Sequence, residues 1–360
     1  MVSFFDNSHT SPKILDLITQ IDDGHFSEVY VLGKNCFAES VIQNFSIKAV
    51  VDDFGDDTSW HNLTIVKSNE VPKNSVVIST SLAIYPQTAV KNILKVGAIA
   101  VHYLELVKHS KKKLRAPEFL EMSKKHILEN KDEYESMYKR LYDKKSKDIF
   151  KNIINFRLGF NLDFLKDFKV DFVNQYFEDF LELNEEYFVD AGGFHGETSI
   201  EFIKRCKNFK RIFLLEPCAD SMSIAKKNLS EAKNIHFLQV GLSDVNENVS
   251  FDAESGSANS IGKGDSTIEV NTLDSLINDQ VSFIKMDLEG YEDKALLGAK
   301  NTIRTYHPKL AISVYHKFND LIEIPKLVLG FRKDYDLFLR HYTEGTDETV
   351  MFFIPKLNNG

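Results

Sequence analysis

Apolar strands and helices alternate regularly from residue 187 to the end of the chain, and this alternation leaves few folds open. The strand-like runs are short and rich in β-branched and aromatic residues. They read YFVD, RIFLLE, IHFLQV, VSFIKMD, KLAISVY, YDLFLRHY and ETVMFFI. Five strand–helix units followed by a closing pair of strands predict an α/β fold, with a mostly parallel sheet that ends in an antiparallel hairpin.

A smaller α/β region comes before this one. Its first strand ends at Gly33, a helix follows, and the next strand ends in Asp52 and Asp53. This order is typical of a nucleotide-binding sheet, in which an acid can meet a ribose. The same glycine turn also occurs in α/β folds that bind nothing, so both interpretations stay open.

Residues 108–150 are rich in lysine and predict a helical connector. Met137, Leu141 and Phe150 belong to an apolar pattern with helical spacing, which predicts one long helix. We therefore expect three parts: a Rossmann-like domain over 1–106, a connector over 107–182, and a larger domain over 183–360.

The composition excludes several classes of protein. The net charge of -9 gives no general electrostatic reason to bind nucleic acid. Three cysteines without metal-ligand spacing argue against a disulfide framework or a zinc site. No apolar run is long enough for a membrane span, and the first residues do not resemble a signal peptide. We expect a cytoplasmic protein without a nucleic-acid partner, and the oligomeric state stays open.

The motif FVDAGGFHGET, residues 188–198, carries the strongest chemical signal. Its glycines, Gly192, Gly193 and Gly196, fall between a strand and a helix, where the backbone can approach a ligand closely. Asp190 precedes them at the end of the strand. A carboxylate there would repel a pyrophosphate but could order the cationic amino-acid end of S-adenosylmethionine (SAM), directly or through water. The pattern therefore favours SAM over a dinucleotide.

Two further strand ends complete the predicted cofactor site. Glu216 closes the second strand, where an acid can accept both hydroxyls of a ribose. Its alternative role is that of an acid at the start of a helix. The run QVGLSD brings Leu242, Ser243 and Asp244 to the rim after the third strand, where they would cover an adenine and receive its amino group.

The run FIKMDLEGYEDKALLGA leads a strand straight into Asp287 and Glu289. Acids at the carboxyl end of a central strand lie beside the crevice in which parallel sheets bind ligands. Asp287 could contact the methionine part of SAM or orient an acceptor, and Glu289 could bind an acceptor hydroxyl or act as a base. Capping of the following helix is the structural alternative for both residues.

Several motifs, taken together, resemble those of the FkbM family of methyltransferases. They are the turn DAGGFHGET, the pair EP, GLSD, NTLDSL, the IKMDLEGYEDKALLGA block and the terminal ISVYH, LRHY and ETVMFFIP. The resemblance covers roughly residues 185–355. It implies a class I methyltransferase sheet and methyl transfer from SAM to a hydroxyl of a sugar, a surface glycan precursor or a related secondary metabolite. The first domain resembles the small nucleotide-binding domains found ahead of sugar-modifying enzymes.

Transfer to oxygen needs a group that removes the acceptor proton. The candidates are His316, His341, Asp287 and Glu289, and His316 is preferred because a neutral imidazole accepts a proton near neutral pH. Two acids and a histidine could instead hold a divalent cation that acidifies the acceptor hydroxyl. An NAD(P)-dependent oxidoreductase and a non-catalytic SAM-binding module are the alternative functions.

Overall fold

The computed structural model describes residues 10–251 and 266–356 of the chain. The chain divides into two compact units, neither of which is continuous in sequence. The first unit comprises Met1–Lys131, Phe150–Val170 and Tyr342–Asp347, and the second comprises Asp132–Ile149, Asp171–His341 and Glu348–Gly360. The linear boundaries at residues 106 and 182 stay a prediction. No helix among the described residues has the length and apolar character that a membrane span requires.

The first unit is built on a six-stranded sheet in the order β3-β4-β2-β1-β5-β6. All its pairings are parallel except the one between β3 and β4. Its strands are β1 (Val29–Leu32), β2 (Ala49–Val51), β3 (Ser59–Trp60), β4 (Leu63–Val66), β5 (Val76–Ser79) and β6 (Ile99–His102). Its helices include α1 (Pro12–Asp22), α2 (Cys36–Asn44), α3 (Pro86–Lys95), α4 (Tyr103–His109) and α5 (Glu118–Glu129).

Both faces of this sheet are buried, as the continuous apolar runs of the strands require. Val31 packs into one apolar cluster with side chains of α1, α2 and α4. The neighbouring Tyr30 points to the opposite face and packs with Ile93 of α3. Successive side chains of a strand alternate between faces, so the sheet lies between two helical layers.

The acids at the end of β2 are engaged in their own loop. Asp52 pairs with Lys34 at 2.8 Å and accepts the backbone N–H of Phe54 at 3.0 Å. Asp53 accepts the N–H and the hydroxyl of Ser68 at 2.8 and 2.7 Å. Binding of a ribose by these acids stays a prediction, and it would have to compete with these contacts.

The expectation of one long helix in the connector is wrong. The residues with the helical pattern, Met137 to Phe150, are divided between two helices, α6 (Lys131–Arg140) and α7 (Lys144–Gly159), and α5 precedes them in the same region. Between them, Leu141 forms a bridge with Leu337, and the N–H of Tyr142 donates to the carbonyl of Leu337 at 2.8 Å. A new helix then begins because the Asp143 carboxylate accepts the N–H of Ser146 at 2.7 Å.

The second unit contains a seven-stranded sheet in the order β15-β16-β14-β13-β7-β8-β9. Five strands are parallel, and β16 runs antiparallel to both β14 and β15. The strands are β7 (Tyr187–Ala191), β8 (Arg211–Leu215), β9 (Ile235–Leu238), β13 (Phe283–Met286), β14 (Lys309–Ser313), β15 (Tyr335–His341) and β16 (Thr349–Pro355). The predicted parallel α/β sheet with a terminal antiparallel hairpin is confirmed.

Helices connect these strands. They are α8 (Glu197–Arg205), α9 (Ala219–Asn228), α10 (Leu273–Leu276), α11 (Glu292–Gly298), α12 (Lys300–Tyr306) and α13 (Asp320–Phe331). An aromatic stack fixes the centre of the unit: the fully buried ring of Phe188 lies 4.3 Å from that of Phe202 and 4.9 Å from that of Phe283. The stack joins α8 to the two central strands, which positions the loops at their carboxyl ends.

A second, three-stranded sheet forms between β9 and β13, where none of the predicted strands lies. The strands β10 (Gly241–Leu242), β11 (Glu247–Phe251) and β12 (Ser266–Asn271) pair in the order β10-β12-β11. Val249 and Ile268 stand opposite each other in the antiparallel pair. Residues 252–265, between β11 and β12, lie outside the described residues.

Candidate functional site

A cavity of about 260 Å³ opens at the carboxyl ends of β7, β8 and β13. This edge is where open parallel sheets bind ligands. Its lining is mixed, with apolar side chains beside several carboxylates and hydroxyls. The lining residues are Gln175, Tyr176, Gly192, Gly193, Phe194, Glu197, Thr198, Glu216, Pro217, Gly241, Leu242, Lys285, Asp287, Leu288, Glu289, Tyr315 and Glu348.

The predicted glycine turn forms one wall of this cavity. Gly192 has a φ of +76°, and a Cβ placed on it would stand 1.9 Å from the carbonyl oxygen of Asp287. A Cβ on Gly193 would stand 2.5 Å from Leu214. The two residues are therefore glycines because the turn presses against neighbouring strands and leaves no room for a side chain.

The rest of the turn leads into α8 and meets Glu216. Phe194 has a φ of +43° and donates its N–H to the Glu216 carboxylate at 3.0 Å. Glu216 also accepts the N–H of Cys218 at 2.8 Å. Gly196, with a φ of +88°, is the N-cap of α8. Glu216 is buried, and burial raises its pKa. The carboxylate therefore holds two loops in place and still lines the cavity.

Asp190 lies beneath the cavity and is not part of its lining. Its carboxylate is fully buried, accepts the hydroxyl of Ser199 at 2.6 Å and lies 3.3 Å from Nζ of Lys285. Contact of Asp190 with SAM, directly or through water, stays a prediction. The strand places it one layer below the glycine turn, where it serves as the counter-charge of Lys285.

Lys285 is a lining residue that the sequence analysis did not single out. Its ammonium is 2% exposed and donates to the carbonyls of Ala191 and Gly192 at 3.2 and 2.7 Å. A lysine inside an otherwise apolar strand is the signal that could have found it, because a charge is rarely buried without a partner. Lys285 ties β13 to the glycine turn.

The residues after β9 divide between the cavity and the surface. Gly241 and Leu242 line the cavity, as expected for a cover over an adenine. Ser243 is buried and donates its N–H to the carbonyl of Asn271 at 3.0 Å, and Asp244 is exposed. Neither Ser243 nor Asp244 belongs to the lining, since the short β10 turns the chain away from the cavity after Leu242.

Asp287 connects the cavity wall to two tyrosines. It accepts the hydroxyl of Tyr176 at 2.7 Å and that of Tyr315 at 3.5 Å. Burial opposes ionisation of Asp287, but the charges of His316 and Lys285 outweigh burial and lower its pKa. Asp287 is therefore ionised at neutral pH and available as a hydrogen-bond acceptor at the cavity wall.

Behind Asp287 lies His316, which is surrounded by carboxylates. Its Nε2 is 3.4 Å from both Asp287 Oδ1 and Glu289 Oε2, and its Nδ1 is 2.9 Å from Glu292 Oε1. Glu292 is 1% exposed and accepts the N–H of Leu288 at 2.7 Å. Glu289 has a φ of +51°, a strained conformation for a side-chain-bearing residue.

These carboxylates change the protonation of His316. Burial favours the neutral ring, but Glu292 beside Nδ1 and the charges of Asp287 and Glu289 outweigh it and raise the pKa of His316 to about 10. In this state the ring already carries both protons at neutral pH. The role of His316 as general base stays a prediction, and this charge state weighs against it.

His341 stands apart from the other candidates. It lies at the end of β15, and two strands, β16 and β14, separate it from β13. Its Nδ1 is 2.9 Å from the hydroxyl of Thr349, and it is not part of the cavity lining. The sequence predicted that His341 ends a strand, but it did not predict the position of that strand in the sheet.

Comparison with known proteins gives matches to a family model and to solved structures. The model of the methyltransferase FkbM domain matches residues 190–342. The crystal structure of the methyltransferase FkbM from Methylobacillus flagellatus KT is 22% identical, covers 96% of this chain and 94% of its own, and has a TM-score of 0.74. A putative rRNA methylase from Clostridium thermocellum is 13% identical over 56% of this chain and 97% of its own, with a TM-score of 0.33. No curated protein matches the chain.

Proposed function

We propose that the protein transfers a methyl group from SAM to a hydroxyl oxygen, because the model of the methyltransferase FkbM domain matches residues 190–342. The acceptor is a sugar, a surface glycan precursor or a related secondary metabolite, and the reaction takes place in the cytoplasm. The cavity at the ends of β7, β8 and β13 is the observation that carries this proposal. It combines a glycine turn, a buried carboxylate and an ionised acid on one rim.

Binding of the cofactor is assigned to three parts of the wall. Glu216 keeps lone pairs beyond its two backbone contacts, and these can accept the ribose hydroxyls. Leu242 offers an apolar surface to the adenine. The glycine turn allows close approach of the methionine part, while Lys285 fixes the carbonyls of Ala191 and Gly192. Asp190 acts through Lys285 and the turn.

SAM supplies an activated methyl group on a sulfonium. Transfer of this methyl group to the acceptor oxygen would require that the hydroxyl proton leave. The protein must align the two reactants and receive this proton. Asp287 is the residue best placed to accept a hydrogen bond from the acceptor hydroxyl, because it is ionised and lines the cavity. Glu289 lines the same wall and offers a second carboxylate.

The alternatives are an NAD(P)-dependent oxidoreductase and a non-catalytic SAM-binding module. The antiparallel β16 favours a methyltransferase over a dinucleotide fold, which is expected to end in a further parallel strand. Asp287 and Glu289 at the rim favour catalysis over binding alone.

Calorimetry on the full chain tests the cofactor. We expect SAM and S-adenosylhomocysteine to bind and NAD to give no heat. Binding of NAD without binding of SAM would refute the proposal. Mass spectrometry of candidate glycan precursors, incubated with the protein and SAM, then tests the acceptor through a gain of one methyl group.

A further inference from the structure

Three carboxylates and one imidazole converge directly behind the cavity wall. Asp287, Glu292 and His316 each offer a ligand atom, and these atoms all lie within 4.8 Å of one another. Glu289 adds a third carboxylate, 3.4 Å from Nε2 of His316. Even a protonated imidazole would balance only one of the three negative charges. The nearby Lys285 and Lys317 form ion pairs with Asp190 and Asp293.

His316 supplies an independent observation. Its side chain is 8% exposed, and neither ring nitrogen has a partner with hydrogen-bond geometry among the described residues. A buried imidazole normally satisfies both nitrogens, so His316 can offer a ring nitrogen to a further ligand of the cluster. The carboxylates lie at ion-pair distances on both sides of the ring.

The spacing of these atoms suits a metal ion. Oxygen and nitrogen ligands lie about 2.0–2.4 Å from a divalent cation, so two neighbouring ligands at a right angle are separated by roughly 3 Å. The 3.4 Å from Nε2 of His316 to Asp287 is of this size. One ligand atom each from Asp287, Glu292 and His316 can be chosen so that all three lie within 4.8 Å of one another. A donor set of carboxylates with one imidazole suits Mn²⁺ and related ions.

We propose that Asp287, Glu292 and His316 hold one divalent cation of the Mn²⁺ type, with Glu289 next to its open side. Glu292 anchors the site, because it is buried and already fixed by the N–H of Leu288. Asp287 and Glu289 connect the site to the cavity, since both line it.

The catalytic consequence rests on the proposed methyl transfer. A cation beside Asp287 and Glu289 would polarise the acceptor hydroxyl and lower the pKa of its proton. That proton would pass to a carboxylate or to water as the oxygen takes the methyl group from the sulfonium. In this arrangement His316 serves as a ligand and not as the base.

Binding of Mn²⁺ itself is the test, and it requires no turnover. The full chain is freed of metal with a chelator and titrated with Mn²⁺, while electron paramagnetic resonance follows the free ion. We expect one ion per chain, and we expect Glu292→Gln to weaken binding at least tenfold. Asp293→Asn is the matched control, because it removes one charge from the adjacent, exposed residue. It should bind Mn²⁺ as the wild type does.

Two results would overturn the site: no Mn²⁺ binding by the wild type, or equal loss of binding in both variants. If Glu292→Gln does not fold, as judged by its thermal unfolding, Asp287→Asn replaces it with the same expected loss. Calorimetry with SAM in the presence of chelator separates the two proposals. If the protein binds SAM but not Mn²⁺, only the proposed cation site is refuted. If it binds Mn²⁺ but not SAM, only the proposed function is refuted.

Discussion

Gly192 is the residue at which the loops after β7 and β13 touch. We expect Gly192→Ala to lose stability and SAM binding together, because its Cβ would collide with the backbone of Asp287 at a positive φ. Overpacking of this kind costs roughly 1–3 kcal/mol, and the left-handed conformation adds about 1 kcal/mol. Denaturant unfolding and calorimetry measure the two effects.

Gly330 provides the control for this substitution. It lies in α13, and a Cβ on it would meet nothing within 4 Å. Gly330→Ala should keep or slightly raise stability, by up to about 1 kcal/mol, because alanine favours a helix. If Gly192→Ala and Gly330→Ala showed the same stability and the same SAM affinity, the tight contact at Gly192 would have no functional meaning.

Glu216 has two tasks that a substitution can separate. Glu216→Ala should weaken SAM by roughly ten- to a hundredfold, since charge-assisted hydrogen bonds contribute about 1.5–3 kcal/mol each. Thermal unfolding of the same variant reports the loss of its contacts with Phe194 and Cys218. The control is Glu231→Ala, a change of equal charge at an exposed position. Unchanged SAM affinity in Glu216→Ala would leave Glu216 a purely structural role.

The sequence predicted the residues at strand ends better than those that support them. Asp287, Glu289, Gly192 and Glu216 share one rim because the carboxyl ends of parallel strands meet at one edge. Tyr176 was missed, because its contact with Asp287 joins residues far apart in the chain and its own segment has no periodic pattern. Glu292 was not singled out either, because acids are common in the first turn of a helix, where Glu292 lies.

The start of α7 is tied to β15 by an ion pair. Asp143, at the N-terminus of the helix, lies 2.7 Å from Nη2 of the buried Arg340, whose Nη1 also donates to Ser146. Burial opposes ionisation of Asp143, but the hydrogen bonds from Arg340 and Ser146 outweigh it and lower its pKa to about 2. The pair therefore stabilises the fold above the ordinary pKa of 3.8, and this contribution is lost as the pH falls towards 2.

Acid unfolding of two variants tests this contribution. Between pH 5 and about 2, the wild type should lose roughly 1–3 kcal/mol more unfolding free energy than Asp143→Asn, which keeps a capping oxygen without the charge. Asp148→Asn removes an exposed partner of Lys144 and should follow the wild type. Parallel curves for wild type and Asp143→Asn would show that the pair contributes nothing.

The sequence pattern did not predict where α6 ends and where α7 begins. The periodicity of Met137, Leu141 and Phe150 is real, since all three are buried. The apolar pattern continues between α6 and α7 because Leu141 is an apolar residue there, although its backbone pairs with β15. A helical period therefore identified the buried face but not the point at which pairing with a strand interrupts the helix.

The two units set limits on truncation. Removal of residues 1–106 takes away the six-stranded sheet but leaves Phe150–Val170 and Tyr342–Asp347, which belong to the same unit. We expect the shortened chain to expose apolar surface and to bind a hydrophobic dye, while its folded fraction keeps SAM affinity. Every residue that lines the cavity belongs to the second unit.

Calorimetry on the soluble fraction measures that affinity, and turnover on the true acceptor tests the first unit separately. We propose that the first unit positions the acceptor and performs no chemistry, so turnover should fall while SAM still binds. Full turnover without residues 1–106 would contradict this role.

The segment Tyr342–Asp347 has a consequence for synthesis on the ribosome. It belongs to the first unit, although it is made after almost all of the second. Glu344 accepts the N–H and hydroxyl of Thr88 at 2.7 and 2.6 Å, a contact that spans most of the chain. The next strand, β16, lies between β14 and β15 and is also translated late. Neither unit can therefore finish folding until Tyr342–Asp347 and β16 have emerged from the ribosome.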